Sequence, residues 1–250
     1  MNMTDLTTAL PAALQRALEL LTDPPTRPDV SKGYLDLLDG ATAADAAVPK
    51  NTGPLQAIFA SRLGSMLYDY NQAALRRLFA AWLNPTDWLD IPAGGVALDV
   101  GCGPGSVTAA LARAVGPDGL ALGVDISESM LARAVRAESG PQVGFLRADA
   151  QRLPLREATV DAVVCISVLQ LVPDPAAALA EMARVLRPGG RLAAMVPVAG
   201  RMARFVRVLP QTWGHVFDED ELGDILEGHG LVSVRTKSFA TLQLVRAKRG

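Results

Sequence analysis

The residues best placed to do chemistry lie between positions 98 and 125. Leu98-Asp99-Val100-Gly101-Cys102-Gly103-Pro104-Gly105-Ser106 ends a short apolar run and precedes a helical pattern. Three glycines within five residues permit a sharp turn and let a ligand approach the backbone closely. Unpaired N–H groups at the start of the following helix favour a polar or anionic group. Asp125 closes the next apolar run, about 20 residues beyond Gly105, where doubly wound folds carry the carboxylate that accepts from ribose hydroxyls. Asp125 could instead only cap a helix beginning near Ser127. The dinucleotide fingerprint wants a sixth-position glycine, and that position is Ser106. Asp99 would repel a pyrophosphate but suits an ammonium group. These features favour an adenosyl-methionine ligand over a nicotinamide dinucleotide, so an NAD-dependent oxidoreductase is the weaker alternative.

The surrounding elements must hold that turn in place. From Val96 onward, short runs rich in Val, Ile and Leu alternate with helical segments. Strands are expected at Val96–Val100, Leu120–Val124, Val143–Arg147, Val160–Ile166, Arg191–Val196, Leu231–Ser238 and Thr241–Ala247. This order predicts parallel βαβ units and a sheet covered on both faces. Asp174 reads as an N-cap with Pro175 at the first helical position, and Arg184 and Arg187 read as the last turn of that helix. Upstream, Leu10, Leu14, Leu18 and Leu21 recur at helical spacing, and Phe59 to Trp82 gives a second, longer stripe. The expected fold class is α/β: a doubly wound, mostly parallel seven-stranded sheet with an N-terminal helical extension. The division expected is 1–90 as a helical extension or lid and 91–250 as the core. An insertion near 197–217, apolar and basic at once, interrupts the core.

Four blocks in order resemble the class I S-adenosylmethionine-dependent methyltransferases, nearest to the ubiquinone and menaquinone biosynthesis branch. They are Leu98–Gly105, Gly123–Leu131, Arg147–Leu155 and Arg184–Gly190. The resemblance implies S-adenosyl-L-methionine as cofactor. It places Gly101, Gly103 and Gly105 in the methionine-side turn, with Asp99 near the ammonium and Asp125 on the ribose. It sets Ile126 and Met130 beside the adenine, and Asp149 with the Ala150 amide at its amino edge. Ile166 and Ser167 would line the sulfonium end. It does not cover residues 1 to about 90, or the insertion.

An activated methyl group asks the protein mainly for orientation, and a general base matters only if the acceptor sheds a proton. His215 is the candidate base, against the reading of an exposed loop histidine. Tyr68 is a second candidate, since related enzymes use an N-terminal tyrosine, whereas Tyr70 shares the apolar stripe. Gln170 stands where close relatives often carry histidine, and it and Trp213 are candidate substrate contacts. Arg201, Arg204 and Arg207 read first as a solvated face.

Net charge is −2 and the arginines are scattered, which argues against nucleic acid. No run reaches the ~20 apolar residues of a membrane span. Two cysteines make no disulfide framework, so a reducing cytoplasm is expected. No metal is expected. The expected function is methyl transfer to a small-molecule acceptor that the sequence does not identify, with an apolar quinone, lipid or natural-product-like molecule as the candidate class and a non-catalytic S-adenosylmethionine-binding protein as the alternative.

Overall fold

The computed structural model describes residues 10–38, 88–198, 215, 217–239 and 242–250. The stripe from Phe59 to Trp82, Tyr68, Tyr70, the arginines at 201, 204 and 207, and Trp213 lie outside the described residues.

Five helices and eight strands make up the described elements. In chain order they are α1 (Ala12–Leu20), β1 (Leu35–Asp36), β2 (Val96–Val100), α2 (Ser106–Val115), β3 (Leu120–Asp125), α3 (Glu128–Glu138) and β4 (Val143–Arg147). Then follow β5 (Val160–Ile166), a 3₁₀ turn (Leu169–Leu171), α4 (Pro175–Val185), β6 (Leu186–Pro197), α5 (Glu221–Gly228), β7 (Leu231–Phe239) and β8 (Leu242–Arg249). The strand order is β1-β4-β3-β2-β5-β6-β8-β7. Pairing is parallel from β1 through β6, and β8 runs antiparallel to both of its neighbours.

The chain leaves β2 toward β3 on one side and returns to β5 on the other. The switch point therefore lies between β2 and β5, where open α/β sheets leave a crevice outside the carboxyl ends of the strands. All five residues of β2 are buried, as an apolar strand covered on both faces requires. One main cluster includes Leu98, Leu122, Leu146, Val163 and Leu192, and a second on the opposite face joins Ala97, Leu111, Ala121 and Val164.

Among the described residues the sheet has eight strands rather than the expected seven. The extra one is β1, which pairs Leu35 with Leu146 and Asp36 with Arg147 at the far edge. Ion pairs hold this strap down. Arg147 reaches Asp36 at 3.0 Å and Glu128 at 3.2 Å, and Lys32 meets Glu128 at 2.8 Å. Ala13, Leu14 and Ala17 of α1 join the main cluster as well.

Helix α4 begins as its sequence predicts, with the Asp174 side chain accepting from the Ala177 N–H at 3.0 Å. Its end differs. The helix stops at Val185, and Leu186 already pairs with Val160 in β6, so Arg187 belongs to the sheet and not to the last turn. Arg187–Gly190 bulges out before pairing resumes at Arg191 with Ala162, and Arg187 binds Asp161 at 2.6 Å.

Candidate functional site

The crevice at the switch point is lined from the ends of four adjacent strands. Gly101 and Gly103 follow β2. Val124 and Asp125 end β3, with Ile126, Ser127 and Met130 beyond. Ala148, Asp149 and Ala150 follow β4, and Ser167, Val168, Leu171 and Val172 follow β5. Eight of the residues expected at the cofactor from sequence meet here: Gly101, Gly103, Asp125, Ile126, Met130, Asp149, Ala150 and Ser167. Asp99, Gly105 and Ile166 do not line it.

The glycines of the turn have different jobs. Gly101 has φ +72°, and a Cβ there would stand 2.1 Å from Val168 Cγ2, so the turn must pass close under the loop after β5. Gly103 has φ +51°, and a Cβ there would meet nothing within 4 Å, so it faces open room. Gly105 serves packing instead: its Cβ would lie 2.9 Å from the Phe145 ring. Gly123 also makes room for that ring and for Thr108.

Asp99 is buried in β2, and its Oδ2 accepts from Thr108 Oγ1 at 2.7 Å. That bond fixes the carboxylate beneath the turn. Asp125 is the carboxylate at the surface of the crevice. Its Oδ2 accepts from the Gly103 N–H and its Oδ1 from the Ser127 N–H, both at 2.8 Å. It therefore braces the glycine turn and the start of α3 together. The helix cap proper is Ser127, whose side chain accepts from the Met130 N–H. Burial pushes the Asp125 carboxyl above its ordinary value, and N–H groups of Ser127, Gly103 and Ile126 pull it partly back. Burial also raises the Cys102 and Cys165 thiols, with the Asp99 charge adding to the effect in both.

Asp149 accepts from the Gln151 N–H at 2.9 Å, and Gln151 Nε2 stands 3.0 and 3.2 Å from its two oxygens. Gln151 escaped the sequence reading, although an Asp followed two residues later by a residue it can bond is an Asx-turn signal. Arg147 was missed too. Its Nε donates to the Ile126 carbonyl at 3.3 Å, tying the strap to the crevice wall. Ser167 takes φ +57°, a left-handed conformation that costs a non-glycine residue about 1–2 kcal/mol. Its N–H donates to Met195 O at 2.8 Å, which holds it there.

At the rim, the 3₁₀ turn after β5 meets the end of the insertion. The His215 N–H donates to the Gln170 carbonyl at 2.8 Å. His215 Nε2 lies 2.8 Å from Glu221 Oε1, and the ring packs edge-on against Phe217 at 4.5 Å. The Gln170 side-chain oxygen is buried without a hydrogen-bond partner. Gln170 itself stands next to the crevice-lining Leu171 rather than in the lining. Among the described residues, no group of three or more His, Cys, Asp or Glu could hold a metal ion.

A family model described as a methyltransferase domain matches residues 98–194, which span β2 to β6. The 2-phytyl-1,4-naphtoquinone methyltransferase of Thermosynechococcus vestitus is 34% identical over 164 residues, covering 64% of this chain and 72% of that protein. The chain belongs to the class I S-adenosylmethionine-dependent methyltransferases. This methyltransferase is also 49% identical, over 107 residues, to an uncharacterized 37.1 kDa protein in a transposon of Streptomyces fradiae. That match covers 42% of this chain and 31% of the other. A solved S-adenosylmethionine-dependent methyltransferase from Thermotoga maritima superposes with TM-score 0.60 at 21% identity, over 78% of this chain and all of that one. At that identity the likeness speaks for the fold.

The crevice fits the methyltransferase's cofactor, S-adenosylmethionine. Gly103 leaves the glycine turn open for a close approach. Asp125 and Asp149 each offer a carboxylate whose protein bonds leave acceptor capacity over. Ile126 and Met130 supply apolar wall beside them.

Proposed function

We propose that the methyltransferase acts on an apolar, quinol-like small molecule, with Asp125 holding the ribose hydroxyls and Asp149 the adenine amino edge of the cofactor. The observation that carries this reading is the convergence of Gly103, Asp125, Ile126 and Asp149 on one crevice at the switch point. S-adenosylmethionine supplies a methyl group already activated by a sulfonium. The protein's own work is to orient and to exclude water, which is worth on the order of 7–11 kcal/mol in favourable cases.

Val168, Leu171 and Val172 give the β5 side of the crevice an apolar wall, suited to an apolar acceptor. The naphthoquinone named in the Thermosynechococcus vestitus relative is such a molecule. Gln170, beside Leu171 of that wall, would accept from an acceptor hydroxyl by turning its unpaired side-chain oxygen into the crevice. His215, oriented by Glu221, is the group to take a proton there if the acceptor must lose one. Gly101 and Ser167 border the methionine end, with Asp99 beneath them. Within residues 1–90, α1 and β1 pack into the core, so the remainder of that segment, with the 197–217 insertion, would cover the acceptor, and the setting is cytoplasmic. Among the described residues no helix is long and apolar enough to cross a membrane.

The test is transfer of labelled methyl from S-adenosylmethionine to a panel holding a prenylated demethylnaphthoquinol, a simple catechol, a polar amine and a transfer RNA. Label in the quinol is expected. Label confined to the amine or the RNA, or S-adenosylhomocysteine binding with no transfer to any apolar acceptor, would overturn the reading.

A further inference from the structure

We propose that Gln151 is a positioning residue that makes the crevice selective for a 6-amino purine over a 6-oxo purine. The inference rests on the reading that Asp149 faces the adenine edge. Gln151 is 8% exposed, so its amide must find partners within the protein. Its Oε1 accepts from the Asp174 N–H at 3.0 Å. Because a backbone N–H only donates, the atom facing it must be the oxygen, and this settles the amide's orientation. The NH₂ group is thereby turned onto Asp149, where it stands 3.2 Å from Oδ1 and 3.0 Å from Oδ2.

The clamp is anchored at both ends. Asp174 is the N-cap of α4, held by its own bond from the Ala177 N–H. Asp149 is fixed further by the Gln151 N–H at 2.9 Å. These contacts lock the carboxylate plane. An ionised carboxylate has about four lone-pair directions, and here two donors, the Gln151 N–H and one side-chain N–H shared between both oxygens, engage three of them. The remaining capacity can accept one more N–H and can donate nothing. An exocyclic amino group satisfies it, whereas a 6-oxo group in the same place sets oxygen against oxygen, and the ring could offer its N1–H to Asp149 only by sliding along the crevice. A freely rotating Asp149 could turn away from the oxo group, and a clamped one cannot. Selectivity therefore depends on Gln151, which need not touch the ligand.

The experiment measures the dissociation constants of S-adenosylhomocysteine and S-inosylhomocysteine by calorimetry on the full chain. One charge-assisted hydrogen bond predicts that the wild type prefers the adenosyl compound by about 10- to 100-fold. Gln151→Met keeps the length and removes both polar contacts, and it should lower that ratio at least fivefold. Gln151→Glu opposes two carboxylates and should lower it as far, giving a second route if the methionine variant does not fold. A purely structural role would weaken both ligands equally, and an unchanged ratio in a folded variant overturns the proposal. Asp149→Asn separates the two levels. If the wild-type ratio is near one, or Asp149→Asn leaves it unchanged, the placement of the adenine falls. If Asp149→Asn flattens the ratio and the Gln151 variants do not, only the role of Gln151 falls.

Discussion

Replacing Gly101 with alanine would drive a methyl group into the loop on the far side of the switch point. The new Cβ would lie 2.1 and 2.6 Å from the two Val168 methyls and 2.9 Å from Val168 Cβ. The backbone at φ +72° adds a cost of about 1–2 kcal/mol for any residue with a Cβ. Relieving the overlap costs roughly 1–3 kcal/mol more, as overpacking does elsewhere. Gly101→Ala should therefore lose about 2–5 kcal/mol of stability by urea denaturation. It should also weaken S-adenosylhomocysteine, because Val168 lines the crevice. Val168→Ala removes the two shortest contacts and leaves the one at 2.9 Å. In the Gly101→Ala background it should return at least about 1 kcal/mol, while the φ cost remains. Additivity of the two substitutions within about 0.5 kcal/mol would mean that they do not meet, and the account of this turn would fail.

Arg147→Met should cost roughly 3 kcal/mol in the same assay, because the Asp36 side chain, 3% exposed, would keep a buried charge without its partner. Adding Asp36→Asn should recover part of that loss, and no recovery would contradict the pairing. The raised Asp125 carboxyl has a linkage consequence of definite sign. The folded state holds this proton more tightly than the unfolded chain, so its contribution is full below about 3.8, the ordinary value, and is lost as pH rises through the elevated one. The unfolding free energy of wild type minus that of Asp125→Asn should fall with rising pH across that window and then level off. A difference that grows with pH would contradict the burial argument.

The parallel core was legible because β2, β3 and β5 are almost continuously apolar, and because a carboxylate ends β3 at the spacing doubly wound folds use. The four blocks then led to the crevice. What stayed hidden depends on contacts distant in sequence. Two residues, Leu35 and Asp36, carry no strand signal, and their place is set by Arg147 more than a hundred positions away. Gly105 looks like part of the ligand turn until Phe145 is seen against it. Arg187 matched a helix-end cation, but extended backbone at Leu186 (ψ 134°) puts it in β6. Asp99 and Asp125 look alike in sequence, and only the Thr108 hydroxyl tells that one is buried under the turn while the other faces the crevice.

The most direct test is a crystal structure of the complex with S-adenosylhomocysteine. The adenosyl group should lie across the carboxyl ends of β2, β3 and β4, with its ribose hydroxyls on Asp125 and its purine amino group on Asp149. Ligand density away from this crevice, or Asp125 turned from a ligand within it, would contradict the account.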